Sequence, residues 1–190
     1  MKLATIILLF FYINISAQTE PDTIYQCEIT TTVSSLVSSF DQARYPEGEN
    51  DIALGYGFFV RGMWHPARLL SVGIMTGYCQ ISKDEFIVND NELASAVLSA
   101  VPLQLVVSMQ SKRFEFGLGM GPYLIISTIK YGTEAQGRRY ELGMTFLGSY
   151  LFSLNDNIYV GPELRVLYLS YRGILSFNPS LFIRFEIFRY

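Results

Sequence analysis

The chain has 190 residues, of which half are hydrophobic, 15% aromatic and only 16% charged, with a formal net charge of −3. So apolar a composition excludes an ordinary soluble domain, in which roughly a quarter of residues are charged. The lack of a basic field excludes a nucleic-acid partner. The length suits a single domain of about 100–200 residues.

One long unbroken apolar run opens the chain, Leu3 to Ile15, preceded by Lys2 and followed by Ser16-Ala17-Gln18. A basic start, an apolar stretch and a small residue before the cut describe a secretory signal peptide. Cleavage is expected after Ala17, giving a signal peptide over 1–17 and one domain over 18–190. A membrane anchor is the weaker reading, because the run is short and no charged stop-transfer segment follows. Cleavage removes Lys2 and leaves 13 − 17 = −4. No Cys follows the cut, so a lipid-modified N-terminus is not expected. Beyond the run, apolar residues are dispersed among Gly, Ser, Thr and charges. That suits strands facing lipid on one side and not transmembrane helices, which need about 20 consecutive apolar residues.

From Thr23 onward, alternation predicts strands over 24–34, 52–64, 68–80, 98–110, 113–128, 139–153, 157–171 and 179–189. Their connections alternate in length. Ser35 to Asp51 is long and polar, and His65-Pro66-Ala67 is tight. Ser82 to Val97 is long, Ser111-Lys112 tight, Lys130 to Arg138 looser, Asn155-Asp156-Asn157 tight, and Arg172 to Asn178 intermediate. Long loops at one end and short turns at the other is the rhythm of an outer-membrane barrel, whose strand number in a single bacterial chain is even. The expected fold is therefore all-β, an eight-stranded antiparallel up-and-down transmembrane β-barrel.

The phase of each strand says which face is oily. Over 113–128, Phe114, Phe116, Leu118, Met120, Pro122, Leu124 and Ile126 share one side, opposite Glu115, Gly117, Gly119, Gly121 and Tyr123. The strands over 52–64, 157–171 and 179–189 repeat the pattern. An Arg or Lys facing lipid near the midplane costs about 2–4 kcal/mol, so mid-strand charges belong inside. One register turns Glu28, Arg61, Glu115, Glu141, Glu163, Arg165, Arg184 and Glu186 inward. An eight-stranded barrel is just wide enough to be filled by side chains. Charges there must pair or be hydrated, so a polar, salt-bridged plug with a structural role is expected rather than a pore. Aromatic belts are expected from Tyr25, Trp64, Phe114 and Phe152 at the periplasmic end and from Tyr56, Tyr78, Tyr140 and Tyr168 at the outer end.

The stretch from Val101-Pro102-Leu103-Gln104-Leu105 through Lys112-Arg113-Phe114 into Gly117-Leu118-Gly119-Met120-Gly121-Pro122-Tyr123-Leu124, with Ser16-Ala17-Gln18 at the cut, resembles the outer-membrane β-barrel domain family of Bacteroidota. That family includes small OmpA-, OmpX- and PorT-like barrels. The resemblance spans the mature chain and implies fold and location, with outer-membrane lipid and the barrel-assembly machinery as partners. It implies no active site. Such barrels end on an aromatic in phase with the lipid face. Here Leu181, Ile183, Phe185 and Ile187 put Phe188 and Tyr190 out of that phase, so either a bulge shifts the last residues or the ending is read loosely.

The residues for chemistry are sparse. One His and two Cys form no metal-ligand spacing, so neither metal nor cofactor is expected. Cys27 is expected to face outward near the periplasmic end of the first strand and Cys79 inward near the outer end of the third. Such separation argues against a disulfide. His65 is expected in a periplasmic turn, poorly placed as the base of a lipid hydrolase. Gly117 to Gly121 lies within a strand, where Gly more often permits close packing. The reading is a non-enzymatic barrel with an envelope-structural or surface-interaction role through its outer loops, and a surface or periplasmic protein is an expected partner. The alternatives are an outer-membrane enzyme acting on lipid or lipopolysaccharide, and a secreted lipocalin-like carrier, which needs the opposite phase.

Overall fold

A computed structural model describes residues 25–40, 52–66, 69–88, 92–131, 133–170 and 173–189. The expected signal peptide, most of the first long connection and Tyr171 and Tyr190 lie outside them. The strands are β1 Gln26–Ser39, β2 Ile52–His65, β3 Leu70–Val88, β4 Glu92–Ser111, β5 Phe114–Tyr131, β6 Thr133–Tyr150, β7 Phe152–Asn155, β8 Ile158–Leu169 and β9 Ile174–Arg189. Each pairs antiparallel with its neighbours, in the order β6-β5-β4-β3-β2-β1-β9-β8-β7. An additional β6–β8 pairing closes the sheet.

The nine segments make eight staves. Ser149 of β6 faces Glu163 and Phe152 of β7 faces Val160, so both strands advance by three and β7 continues β6 in unchanged register. Pro162, which has no N–H to donate, lies in the gap. Partners followed around the barrel from Glu28 run through Met63, Gly73, Val106, Gly119, Thr145, Leu167 and Ser176, and return to β1 at Ser38. The shear is therefore 38 − 28 = 10 residues. At about 3.3 Å per residue and about 4.8 Å between strands, that shear tilts the strands by about 40° and sets a radius of about 8 Å. Each residue then climbs about 2.5 Å along the barrel axis.

Several strands outrun their expected limits at the loop end. β1 extends to Ser39, β3 to Val88 and β5 to Tyr131, while β4 begins at Glu92, β6 at Thr133 and β9 at Ile174. Most of the expected connections over 82–97 and 130–138 are thus the arms of long hairpins, and 174–178 belongs to β9. The physical reason is local. Above the lipid both faces of a strand are wetted, so the apolar alternation fades while the backbone ladder continues. β6 parts from β8 above the Gly143–Leu169 pair yet continues to Thr133. Strands β3 to β6 therefore stand as a wall about 25 Å high over that side of the barrel.

Besides a shift between Ser153 and Asn155 at the β7–β8 turn, two irregularities change the phase. Between Gln80 and Ser82 a bulge in β3 leaves both Ile81 and Ser82 buried. At the foot of the barrel Glu28 faces Glu186 but Cys27 faces Phe188, so Ile187 is bulged out of the ladder. Ile187 and Phe188 are both exposed, so the bulge brings Phe188 onto the lipid face.

The exterior is apolar across the staves. Trp64 stacks on Tyr25 at 6.5 Å, and Tyr150 meets Phe114 at 4.9 Å and Phe152 at 4.8 Å edge-on. These rings girdle the end with short turns. Tyr56, Tyr78, Tyr140 and Tyr168 are exposed toward the other end. On β2, Trp64 and Tyr56 lie eight residues apart, which is about 20 Å of apolar band. This exterior is the reverse of a lipocalin's.

Candidate functional site

The inward face of the staves builds two layers. In the half nearer the short turns lies a chain of alternating basic and acidic side chains. His65 Nε2 is 3.2 Å from Glu28 Oε2, and Glu28 Oε1 is 3.3 Å from Arg184 Nε. Arg184 Nη2 also pairs with Glu115, whose Oε2 is 3.2 Å from Arg61 Nη2. Arg61 Nη2 in turn lies 3.6 Å from Glu163 Oε2, and Arg165 Nη2 closes on Glu163 Oε1. Three arginines thus meet three glutamates with no net charge between them. Their ends lie on β1, β2, β5, β8 and β9, so the chain spans the lumen.

Hydroxyls and amides complete it. Ser108 donates to Glu115 Oε1 at 2.7 Å and Ser149 to Glu115 Oε2 at 3.3 Å. Arg165 Nη2 donates to Thr32 at 2.9 Å, Arg184 Nε to Thr30 at 3.3 Å and Arg184 Nη1 to Gln110 at 3.1 Å. The Arg165 guanidinium stacks on the Phe59 ring, 4.3 Å from its centroid. Buried charges persist only when so paired and bonded.

Of the eight charges expected inside, Glu28, Arg61, Glu115, Glu163, Arg165, Arg184 and Glu186 are buried. Glu141 is the exception. It has the inward phase, but it sits where β6 is parting from β8. Its side chain is 15% exposed and pairs with Arg139 at the rim. His65 is the member the sequence reading left out. It ends β2 rather than starting a turn, and it is buried against Glu28. The alternation Phe59, Arg61, Met63, His65 carries the signal, once the strand is allowed one more residue.

The second layer departs from the expected polar, salt-bridged plug. Toward the loop end, Leu36, Phe40, Ala53, Phe59, Cys79, Ile81, Leu98, Ala100, Tyr123, Ile125, Leu167, Leu169 and Ile174 form one buried apolar cluster. Tyr123 bonds Thr145 at 3.0 Å, and Thr145 donates to Gln104 at 2.8 Å, a polar rung under the apolar layer. Gly143 makes room for the Tyr123 ring, which a Cβ there would strike. Cys79 is buried in this layer and Cys27 half-buried below; both are free.

Outside the lumen, the wall carries paired charges. Lys83 Nζ is 2.6 Å from Glu85, a hydrogen bond that holds the ammonium above the ordinary lysine range, and Lys130 is 3.5 Å from Glu134. Arg138 bonds Gln136 at 3.2 Å. Among the described residues no group of three or more His, Cys, Asp or Glu is placed to hold a metal. His65, buried beside Glu28, lies far from the wall.

No protein-family model matches the chain, and no curated protein sequence matches it either. Solved structures do. Neisserial surface protein A is 10% identical with a TM-score of 0.55, covering 85% of this chain and 97% of its own. Ail, the attachment invasion locus protein of Yersinia pestis, solved with the heparin analogue sucrose octasulfate, is 8% identical with a TM-score of 0.56. That match covers 86% of this chain and 99% of Ail. At these identities the likeness is one of fold, and the fold is the small up-and-down barrel of bacterial outer-membrane proteins.

Proposed function

We propose that the chain is a non-enzymatic outer-membrane barrel whose lumen is structural and whose work is done by the wall of β3 to β6 outside the membrane. One observation carries the reading. Side chains fill the barrel from its ionic layer to its apolar layer, while four strands project beyond the apolar band with both faces of β6 exposed from Thr133 to Tyr140. A filled lumen speaks against porin-like transport. A projecting sheet offers a surface to a protein or glycan partner, and its neighbours below are lipid and, during insertion, the assembly machinery. The match to a barrel solved with a sulfated sugar supports a surface role without naming a ligand. The Gly117 to Leu124 stretch supports kinship with the Bacteroidota barrels.

The test uses intact cells. A Gln136→Cys variant in a Cys27→Ser, Cys79→Ser background is expected in the outer-membrane fraction, to migrate faster unheated than boiled, and to react with a membrane-impermeant maleimide. Soluble protein, or a folded barrel whose Cys at 136 is shielded until cells are lysed, would overturn the proposal. Lipid composition altered by the native chain but not by a Glu115→Gln, Tyr123→Phe variant would point to an enzyme instead.

A further inference from the structure

The two layers of the lumen differ in more than polarity. Among the described residues nine buried polar side-chain atoms have no hydrogen-bond partner in the protein. Of these, Glu28 Oε1, His65 Nε2 and Glu163 Oε2 each face an ion-pair partner. That leaves Nε and Nη1 of Arg61, Nε and Nη1 of Arg165, and both side-chain atoms of Asn178. Arg165 and Asn178 face each other across β8 and β9, so four of these six atoms belong to one neighbouring pair. That pair sits where the ionic chain ends. Arg165 has Glu163 as its carboxylate, and the next inward residues of β8, Leu167 and Leu169, belong to the apolar cluster. Buried donors of this kind are matched by water wherever it can reach them. Above them the buried hydroxyls are bonded to one another within the wall, Ser38 to Ser176 at 2.6 Å and Tyr123 to Thr145 at 3.0 Å. The rest of the lining is apolar: Leu36, Phe59, Cys79, Leu167 and Leu169 are fully buried in one cluster.

We infer that the lumen is a hydrated dead end, wet from the short-turn end up to Arg165 and Asn178 and sealed above by the apolar layer. The ligand of the Arg165–Asn178 site is water. The barrier to ions is the dry layer, which excludes them as hydrophobic constrictions do, and not the salt-bridged chain. The chain is neutral and hydrogen-bonded, and loosening it opens onto a closed end. The layering itself is independent of the cellular role; only the permeation consequence rests on the membrane reading.

Two measurements on the full chain separate these parts. In the folded, isotope-labelled barrel, the Asn178 side-chain amide and the Arg165 Nε–H are expected to show magnetisation transfer from water, and the methyls of Leu36 and Leu169 none. Water contact at those methyls, or its absence at Asn178, overturns the inference whatever the protein does in cells. In planar bilayers, Leu36→Ala with Phe59→Ala is expected to give steady conductance and to expose Cys79 to a small charged thiol reagent. Arg61→Gln with Glu115→Gln, the pair neutralised together, is expected to give neither. Conductance through the ionic variant, or a closed lumen in a folded apolar variant, overturns it. Should the apolar double variant lose its heat-modifiable mobility, the single Leu167→Ala variant is read in the same way.

Discussion

Leu105 offers the sharpest probe of which surface meets lipid. It is 69% exposed, and its partners across the sheet are Ile74 and Met120. Tyr78 lies four residues above Ile74 on β3 and Phe114 six below Met120 on β5. The tilt sets Ile74 about 3 Å below Leu105 and Met120 about 3 Å above it, so Leu105 sits about 7 Å from one aromatic belt and about 12 Å from the other. Leu105→Arg at that depth costs about 2–4 kcal/mol in a bilayer, a loss of roughly 30- to 700-fold in the folding equilibrium. Gln136→Arg, on the outer face of the wall, is expected to stay within about 0.5 kcal/mol of the parent. Urea titration in phospholipid vesicles, followed by the emission of the chain's single Trp, reads both variants. A cost at Leu105 no larger than that at Gln136 would refute the membrane band and leave the exposed apolar surface to some other contact.

The same titration tests the ionic chain. Glu115→Gln removes one of the two carboxylates that each of Arg61 and Arg184 faces, leaves a buried positive charge unmatched, and is expected to cost about 3–5 kcal/mol. Glu141→Gln at the rim is expected to cost less than about 1 kcal/mol, and equal costs would argue against a buried network. Lys112 holds φ at 56° in the two-residue turn between β4 and β5, a conformation that favours Gly, so Lys112→Gly is expected to stabilise by about 0.5–1 kcal/mol. Lower stability in that variant would mean that the lysine side chain compensates for its backbone. Phe188 stands on the lipid face because of the bulge at Ile187. Phe188→Ser is expected to destabilise by about 1.5–3 kcal/mol and to slow the appearance of the fast-migrating form in vesicles; an unchanged rate and stability would put that ring in water.

Barrel, strand number and inward charges were legible because lipid imposes a strict period. A residue's side in β5 follows from Phe114 alone, since Glu115 must take the other face. Legibility ended where the lipid ended. In β6, Thr133 to Tyr140 are exposed on both sides, and no alternation separates such a strand from a polar loop. The apolar layer was hidden for a different reason. Leu36 and Cys79 have the same inward phase as Glu28 and Arg61, and phase records which face a residue takes but not its depth. Depth requires the shear, and the shear is fixed by cross-strand register that one sequence does not display. His65 was lost to a one-residue error at a strand end, the place where local patterns say least.

That dependence on register also explains why charges occupy this lumen at all. A buried ion pair is often no more stabilising than apolar residues of equal volume, so the chain from His65 to Arg165 need not raise the stability of the folded barrel. Its larger effect falls on the alternatives. Side chains alternate with a period of two, so a slip of one residue turns a whole strand inside out. In β8 such a slip would carry Glu163 and Arg165 into lipid. In β9 it would carry Arg184 and Glu186. Each exposed arginine would add about 2–4 kcal/mol near the midplane, and each would also abandon a carboxylate inside. An apolar interior would make the same slip nearly free, because Leu and Val suit both sides of this wall. The ionic layer spans β1, β2, β5, β8 and β9, and so pins together strands that close the barrel and are remote in sequence. The loop-side layer, which carries no such penalty, has the β3 bulge at Gln80–Ser82 beside it, the one place above the ionic layer where the ladder of the described residues does shift.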